Sequence, residues 1–140
     1  MNMPIHHIGI LVRDIGVSAA DYEARFGYRL LSDIVHDPQQ TARVAFLGRP
    51  EDEMLLELIT PDGPNSKLAN ALKNKGGGLH HFCFQVDDIN LGLEQLRRKK
   101  MRVLCEPVEA SAFDQRKIAW LMGLDGVPVE LLESPPIIEK

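Results

Sequence analysis

The chain has 140 residues, 44% of them hydrophobic and 26% charged, with a formal net charge of −4. This length fits one domain, or two small modules sharing a core, and the acidic balance argues against a nucleic-acid surface. No apolar run reaches the roughly 18–20 residues that span a membrane, and the N-terminal MNMPIHH lacks the layout of a signal peptide.

In chain order, residues 6–12 alternate around aliphatic side chains and predict a strand. Residues 17–26 predict a helix with Ala19, Tyr22, Ala24 and Phe26 as packing candidates and Gly27 as its terminator. Three strands follow at 28–35, 42–47 and 54–60, separated by the turn sequences HDPQQ and GRPED. Residues 61–78 form a connector in which Ser66 could cap a short helix running to Leu72. Its Gly76-Gly77-Gly78 lacks the order of a phosphate-binding loop and predicts a flexible hinge. A strand at 79–86, a helix at 89–99 and strands at 102–105, 117–122 and 127–132 complete the pattern. The proline-containing tail, SPPIIEK, is expected to fray or pack loosely.

This order is a repeat. IHHIGILVRDI at residues 5–15 matches LHHFCFQVDDI at 79–89, with His7 on His81 and Asp14 on Asp88 at an offset of 74 residues. The same offset sets Arg43 to Leu47 on Lys117 to Leu121, and an offset of 73 sets Glu57 on Glu130. The expected fold is α+β: module one at about 5–60, the connector at 61–78 and module two at about 79–133, forming one domain over 1–140. Each half, at about 65–70 residues, is marginal alone, so the two are expected to share a core.

Side chains alternate along a strand. His7 and His81 then face away from the bulky sets Ile8, Ile10, Val12 and Phe82, Phe84, Val86, which suit the side packed under helices. His6 and His80 fall on the opposite parity. A lone strand glutamate or histidine is most simply a solvated or hydrogen-bonded residue. Four such residues at matched places in two copies, His7, Glu57, His81 and Glu130, instead point to a shared site. Two imidazoles and two carboxylates suit one divalent ion, neutralise its charge, and leave positions open for an oxygen-donor substrate. A closed structural zinc site is the competing metal reading, and it usually draws on cysteines. Cys83 and Cys105 lie off the pattern and form no disulfide framework, which predicts a reducing cytoplasmic setting. Phe46 and Trp120, at matched positions, are expected in the core. Arg43 and Lys117 could face either the site or solvent.

The paired HH strands, the repeated spacing and the strand-borne glutamates resemble the vicinal oxygen chelate superfamily, which includes glyoxalase I, methylmalonyl-CoA epimerases, extradiol dioxygenases and metal-free drug-binding proteins. The run LLELITPDGPNSKLANALKNKGGGLHHFCFQVDDI is similar to that of the epimerases. The resemblance implies two βαβββ modules forming a curved eight-stranded mixed sheet with helices on its outer face, often as a homodimer. It implies one divalent metal ion per chain (Zn, Co, Ni or Mn) held by His7, Glu57, His81 and Glu130. It also implies an acyl-CoA thioester or related oxygen chelator as substrate, and an isomerase that stabilises an enolate with Glu130 as base and Glu57 as acid. A glyoxalase I-type lactoylglutathione lyase and a metal-free small-molecule binding or resistance protein remain alternatives. Some epimerases carry a further glutamate on the third strand, where QTARVAFLG has no carboxylate. The loop SAFDQRKIAWL also departs from their glycine-rich stretch, and Phe113 and Lys117 could form a different substrate wall.

Overall fold

The computed structural model describes residues 2–123 and 125–135. The tail beyond Pro135, for which loose packing was expected, lies outside them. The first module comprises β1 (Ile5–Leu11), α1 (Ile15–Phe26), β2 (Arg29–Leu30), β3 (Val35–Asp37), β4 (Ala42–Gly48) and β5 (Leu55–Pro61). After α2 (Ala69–Lys75), the second comprises β6 (Gly78–Val86), α3 (Ile89–Arg98), β7 (Arg102–Glu109), β8 (Lys117–Met122) and β9 (Pro128–Glu133).

Among the described residues these strands build one nine-stranded sheet, in the order β2-β4-β5-β1-β6-β9-β8-β7, with β3 also pairing with β4. β1 runs parallel to β5 and β6 parallel to β9, while β1 and β6 meet antiparallel at the centre. The two halves are therefore related across the β1–β6 seam.

Helices α1 and α3 start with the same local chemistry. The Asp14 carboxylate accepts from Val17 N–H at 2.9 Å and the Asp88 carboxylate from Leu91 N–H at 3.0 Å, satisfying first-turn donors that lack helical partners. Gly27 takes the left-handed conformation that ends α1. Ile8, Ile10 and Val12 pack with Ile15, Ala19 and Tyr22 of α1 over Ala45, Leu47, Leu56 and Leu58. Phe84 and Val86 pack with Ile89, Leu93 and Leu96 of α3 over Ala119, Leu121 and Leu131. Helices α1 and α3 thus cover the outer face and leave the other face to the site, while α2 packs through Ala71 and Leu72 on Leu11, Val44 and Ile59 at one end of that second face. Phe26, expected to pack, is exposed at the end of α1, as is Leu91 on α3.

The sheet has nine strands rather than eight because the expected strand at 28–35 divides. Phe46 N–H donates to the Ser32 hydroxyl at 3.0 Å, so a side chain takes over one sheet hydrogen bond and the chain turns away before β3. Helix α2 starts two residues later than expected, with Leu68 rather than Ser66 at its N-cap. Ser66 caps the preceding turn instead, accepting from Leu68 N–H, and its hydroxyl lies 3.0 Å from that of Thr41. The glycine triplet is a built turn rather than a loose hinge. All three glycines have positive φ, and a Cβ on Gly77 would meet the Leu11 carbonyl oxygen at 2.6 Å.

Candidate metal centre

Two rows of side chains cross the sheet at its central seam. Pairing sets Phe46 opposite Glu57, Glu57 opposite Gly9, and Gly9 opposite His81. The mirrored row sets Trp120 opposite Glu130, Glu130 opposite Cys83, and Cys83 opposite His7. Each row places a small residue between its glutamate and its histidine. Gly9 is small for a steric reason, since a Cβ there would stand 2.2 Å from the His81 ring.

The rows bring all four expected residues together. His7 Nε2 lies 3.1 Å from His81 Nε2. Glu130 Oε1 is 3.2 Å from His7 Nε2 and 3.5 Å from His81 Nε2, and Glu57 Oε1 is 3.7 Å and 3.5 Å from the same two atoms. None of the four residues is more than 2% exposed.

The set fits a divalent cation. Donors about 2.0–2.1 Å from a shared ion stand roughly 2.8–3.4 Å apart at octahedral or tetrahedral angles, close to the shorter spacings here. Both Glu57 oxygens and Glu130 Oε1 are buried without a hydrogen-bond partner. Stranded carboxylate oxygens of this kind are costly unless a cation or proton meets them. The donor atoms of His7, His81 and Glu130 all lie within 4.8 Å of one another and could hold a metal ion. His6, His7 and Cys83 form a second such group, but burial, followed by the charges of Glu130 and Glu57, pushes the Cys83 thiol well up and keeps it protonated.

The two carboxyls occupy different electrostatic settings. Burial pushes Glu57 up to about 8, reinforced by Glu130 and Asp37 and opposed by His81 and the Gln40 carboxamide. Burial would raise Glu130 too, but the two imidazoles crowding its oxygen overcome this and bring it down to about 2. The sign for stability follows by linkage. A carboxyl raised on folding stabilises the fold below its ordinary value of 4.5, and that contribution is lost as the pH climbs through about 8. The metal-free protein should therefore melt at a lower temperature at pH 9 than at pH 6, and Glu57→Gln should remove most of that fall. Thermal melts in chelator at the two pH values check this.

His6 and His80 do not follow their parity. Between the pairs Ile5–Phe84 and His7–Cys83 the first strand gains one residue, His6; between Gly9–His81 and Ile10–Leu79 the partner strand gains one, His80. Both are bulge residues, and a bulge re-aims its side chain. His6 Nδ1 sits 2.9 Å from His7 Nδ1, and His80 Nδ1 sits 2.8 Å from His81 Nδ1. Burial, then the adjacent imidazole, lowers each of the two to about 4, leaving them neutral at neutral pH.

The walls also differ from expectation. Phe46 and Trp120 are more than core filler: Phe46 meets the edge of His7 at 5.3 Å and Trp120 that of His81 at 4.8 Å between ring centroids. Phe113 stacks on His7 at 5.7 Å between ring centroids. Arg43 and Lys117 share the parity of the residues under the helices. Both are exposed, and Lys117 lines an outer hollow beside Asp87 and Asp88.

One polar pair carried no sequence signal. Asp37 and Gln40 are buried, the Gln40 amide donates to Asp37 at 2.8 Å, and Gln40 Oε1 has no partner. Gln40 lines a cavity of about 420 Å³ with Leu68, His80, Leu104 and Trp120, adjoining the centre.

Comparison with known proteins agrees with this construction. Residues 6–120 match the model of the Glyoxalase/Bleomycin resistance protein/Dioxygenase superfamily. The mitochondrial methylmalonyl-CoA epimerase of Homo sapiens is 37% identical over 93% of this chain and 73% of the relative. A solved methylmalonyl-CoA epimerase in complex with methylmalonyl-CoA and NH4+ superposes with a TM-score of 0.81 at 28% identity, covering 96% of each chain. A variant of Streptomyces coelicolor methylmalonyl-CoA epimerase in complex with 2-nitronate-propionyl-CoA gives a TM-score of 0.80 at 29% identity, covering 94% of this chain and 97% of that one. With its twinned modules and the family match across most of its length, the chain belongs to the Glyoxalase/Bleomycin resistance protein/Dioxygenase superfamily.

Proposed function

We propose that this chain is a divalent-metal-dependent isomerase of the methylmalonyl-CoA epimerase type, which inverts the α-carbon of a malonyl-type acyl-CoA thioester through an enolate. The observation that carries this reading is the convergence of His7, Glu57, His81 and Glu130, with carboxylate oxygens left unpartnered in a buried site. One divalent ion (Zn, Co, Ni or Mn) held by these four residues would supply positive charge where the negative charge of the enolate develops.

The protein's own groups divide the proton transfers. Inversion needs a base on one side of the α-carbon and an acid on the other. Glu57 enters from β5 and Glu130 from β9, on the two outer flanks of the histidine strands. Glu130 takes the α-proton at a carboxylate oxygen. Glu57 returns one from the opposite flank. Phe46, Phe113 and Trp120 exclude water around the reacting atoms, which strengthens every charge interaction there.

The chain is proposed to act as a homodimer, a reading supported by the exposed apolar residues Phe26, Leu30, Leu31 and Ile34 at and beside β2. A cytoplasmic setting is supported by the free thiols of Cys83 and Cys105. Among the described residues no helix is long and apolar enough to cross a membrane.

The test is a direct comparison of substrates in D2O. The metal-loaded protein should exchange the α-proton of methylmalonyl-CoA and interconvert its epimers, and should leave methylglyoxal with glutathione unconverted. Lactoylglutathione formation without exchange into methylmalonyl-CoA would replace the epimerase reading with the lyase.

A further inference from the structure

Each module carries a second histidine whose position parity does not explain. His6 and His80 are the two bulge residues of the β1–β6 seam, one on each strand, and their Nδ1 atoms lie 2.9 and 2.8 Å from the Nδ1 atoms of His7 and His81. Two nitrogens at that separation share a proton. The hydrogen bond made by one ring nitrogen decides which state the other adopts. A proton on His7 Nδ1 or His81 Nδ1, donated to the bulge histidine, leaves the opposite nitrogen, Nε2, as a bare lone pair. The two Nε2 atoms are the ones that converge with Glu57 and Glu130. The bulge rings are themselves fixed: His6 packs edge-on against Phe113 at 5.8 Å and Phe46 at 6.4 Å, and His80 against Trp120 at 6.4 Å.

We propose that His6 and His80 are positioning residues, one per module, that accept the Nδ1 protons of His7 and His81 and so hold both imidazoles in the tautomer and orientation that present Nε2 to a divalent cation. The proposal rests on the four-residue metal reading and adds to it the origin of its ligand geometry. It also gives the repeated HH doublet a physical reason. The second histidine of each pair aims inward, and a one-residue bulge brings the first alongside as its hydrogen-bond partner.

The test separates shape from hydrogen bonding. The asparagine side-chain amide branches from Cγ, as Nδ1 does in histidine, so H6N and H80N can keep an acceptor near the same point, while H6L and H80L keep bulk and lose it. Zn2+ affinity, measured by competition with a chromophoric chelator, should fall about 10–100-fold in each leucine variant and stay within about threefold of wild type in the asparagine variants. ¹⁵N NMR of the unmutated Zn2+-loaded protein should show His7 and His81 protonated at Nδ1, a readout that does not depend on any variant folding. Nδ1 of either ligand imidazole found unprotonated, or leucine variants with wild-type affinity while His7→Ala loses the ion, would overturn the positioning role and leave the metal site standing. Failure of the wild-type chain itself to bind Zn2+ would overturn the metal reading and this proposal with it.

Discussion

Glu130→Gln is expected to lower α-proton exchange by about 10³-fold or more while leaving the metal largely bound. Glutamine keeps an oxygen that can face a cation but cannot take a proton, and general base catalysis contributes roughly 10²–10⁴-fold. The split follows from the different settings of the two carboxyls. Glu130 stands against both imidazoles, and Glu57 stands on the opposite flank beside Asp37 and Gln40. Glu57→Gln should then have a distinct signature: exchange persists from the epimer that presents its proton to Glu130, but inversion stops because no acid serves the other flank. Epimer-resolved deuterium incorporation measures both. Equal loss of exchange from both epimers in Glu57→Gln would mean that the carboxylates do not divide the task.

Gly9→Ala is expected to disable the site without touching any candidate ligand. A Cβ on Gly9 would stand 2.2 Å from Cε1 and 2.4 Å from Nδ1 of His81, well inside contact distance. The ring would have to swing off the seam, taking its Nε2 away from His7 and both glutamates. Overpacking of this kind costs about 1–3 kcal/mol of stability, and losing one of four donors should abolish tight metal binding. Gly63→Ala is the matched control, since a Cβ there meets nothing within 4 Å, and should change stability by no more than about 0.5 kcal/mol. Thermal melts and metal titration of the two variants make the comparison.

Much of this arrangement is legible in the letters because it occurs twice. The offset of 74 between the HH strands picks out His7 and His81, and the matched glutamates follow one hairpin later. The helix stops and caps at Asp14, Gly27 and Asp88 are equally local and equally readable. What is not legible depends on partners distant in sequence. Nothing around Ser32 announces that its hydroxyl replaces a strand hydrogen bond to Phe46 and divides the expected strand into β2 and β3. Alternation presumes an unbroken register, so it misplaces His6 and His80, which sit in bulges visible only once β1 and β6 are paired. The HDPQQ stretch reads as a turn, which it is. Its burial of Asp37 and Gln40 beside Glu57 comes from the packing of that turn against the sheet. Gly9 and Cys83, two residues after each HH pair, are the signal that could have been used, since a small residue at matched positions marks where a ring must cross its neighbouring strand.

His7, Glu57, His81 and Glu130 converge on a single point between β1, β5, β6 and β9. Metal analysis of the chain purified without chelator tests it most directly, alongside His7→Ala and His81→Ala prepared in the same way. One divalent ion per chain in the wild type, and less than about a tenth of that in each variant, is the predicted result. A wild-type protein free of metal, or variants that keep their full complement, would contradict it.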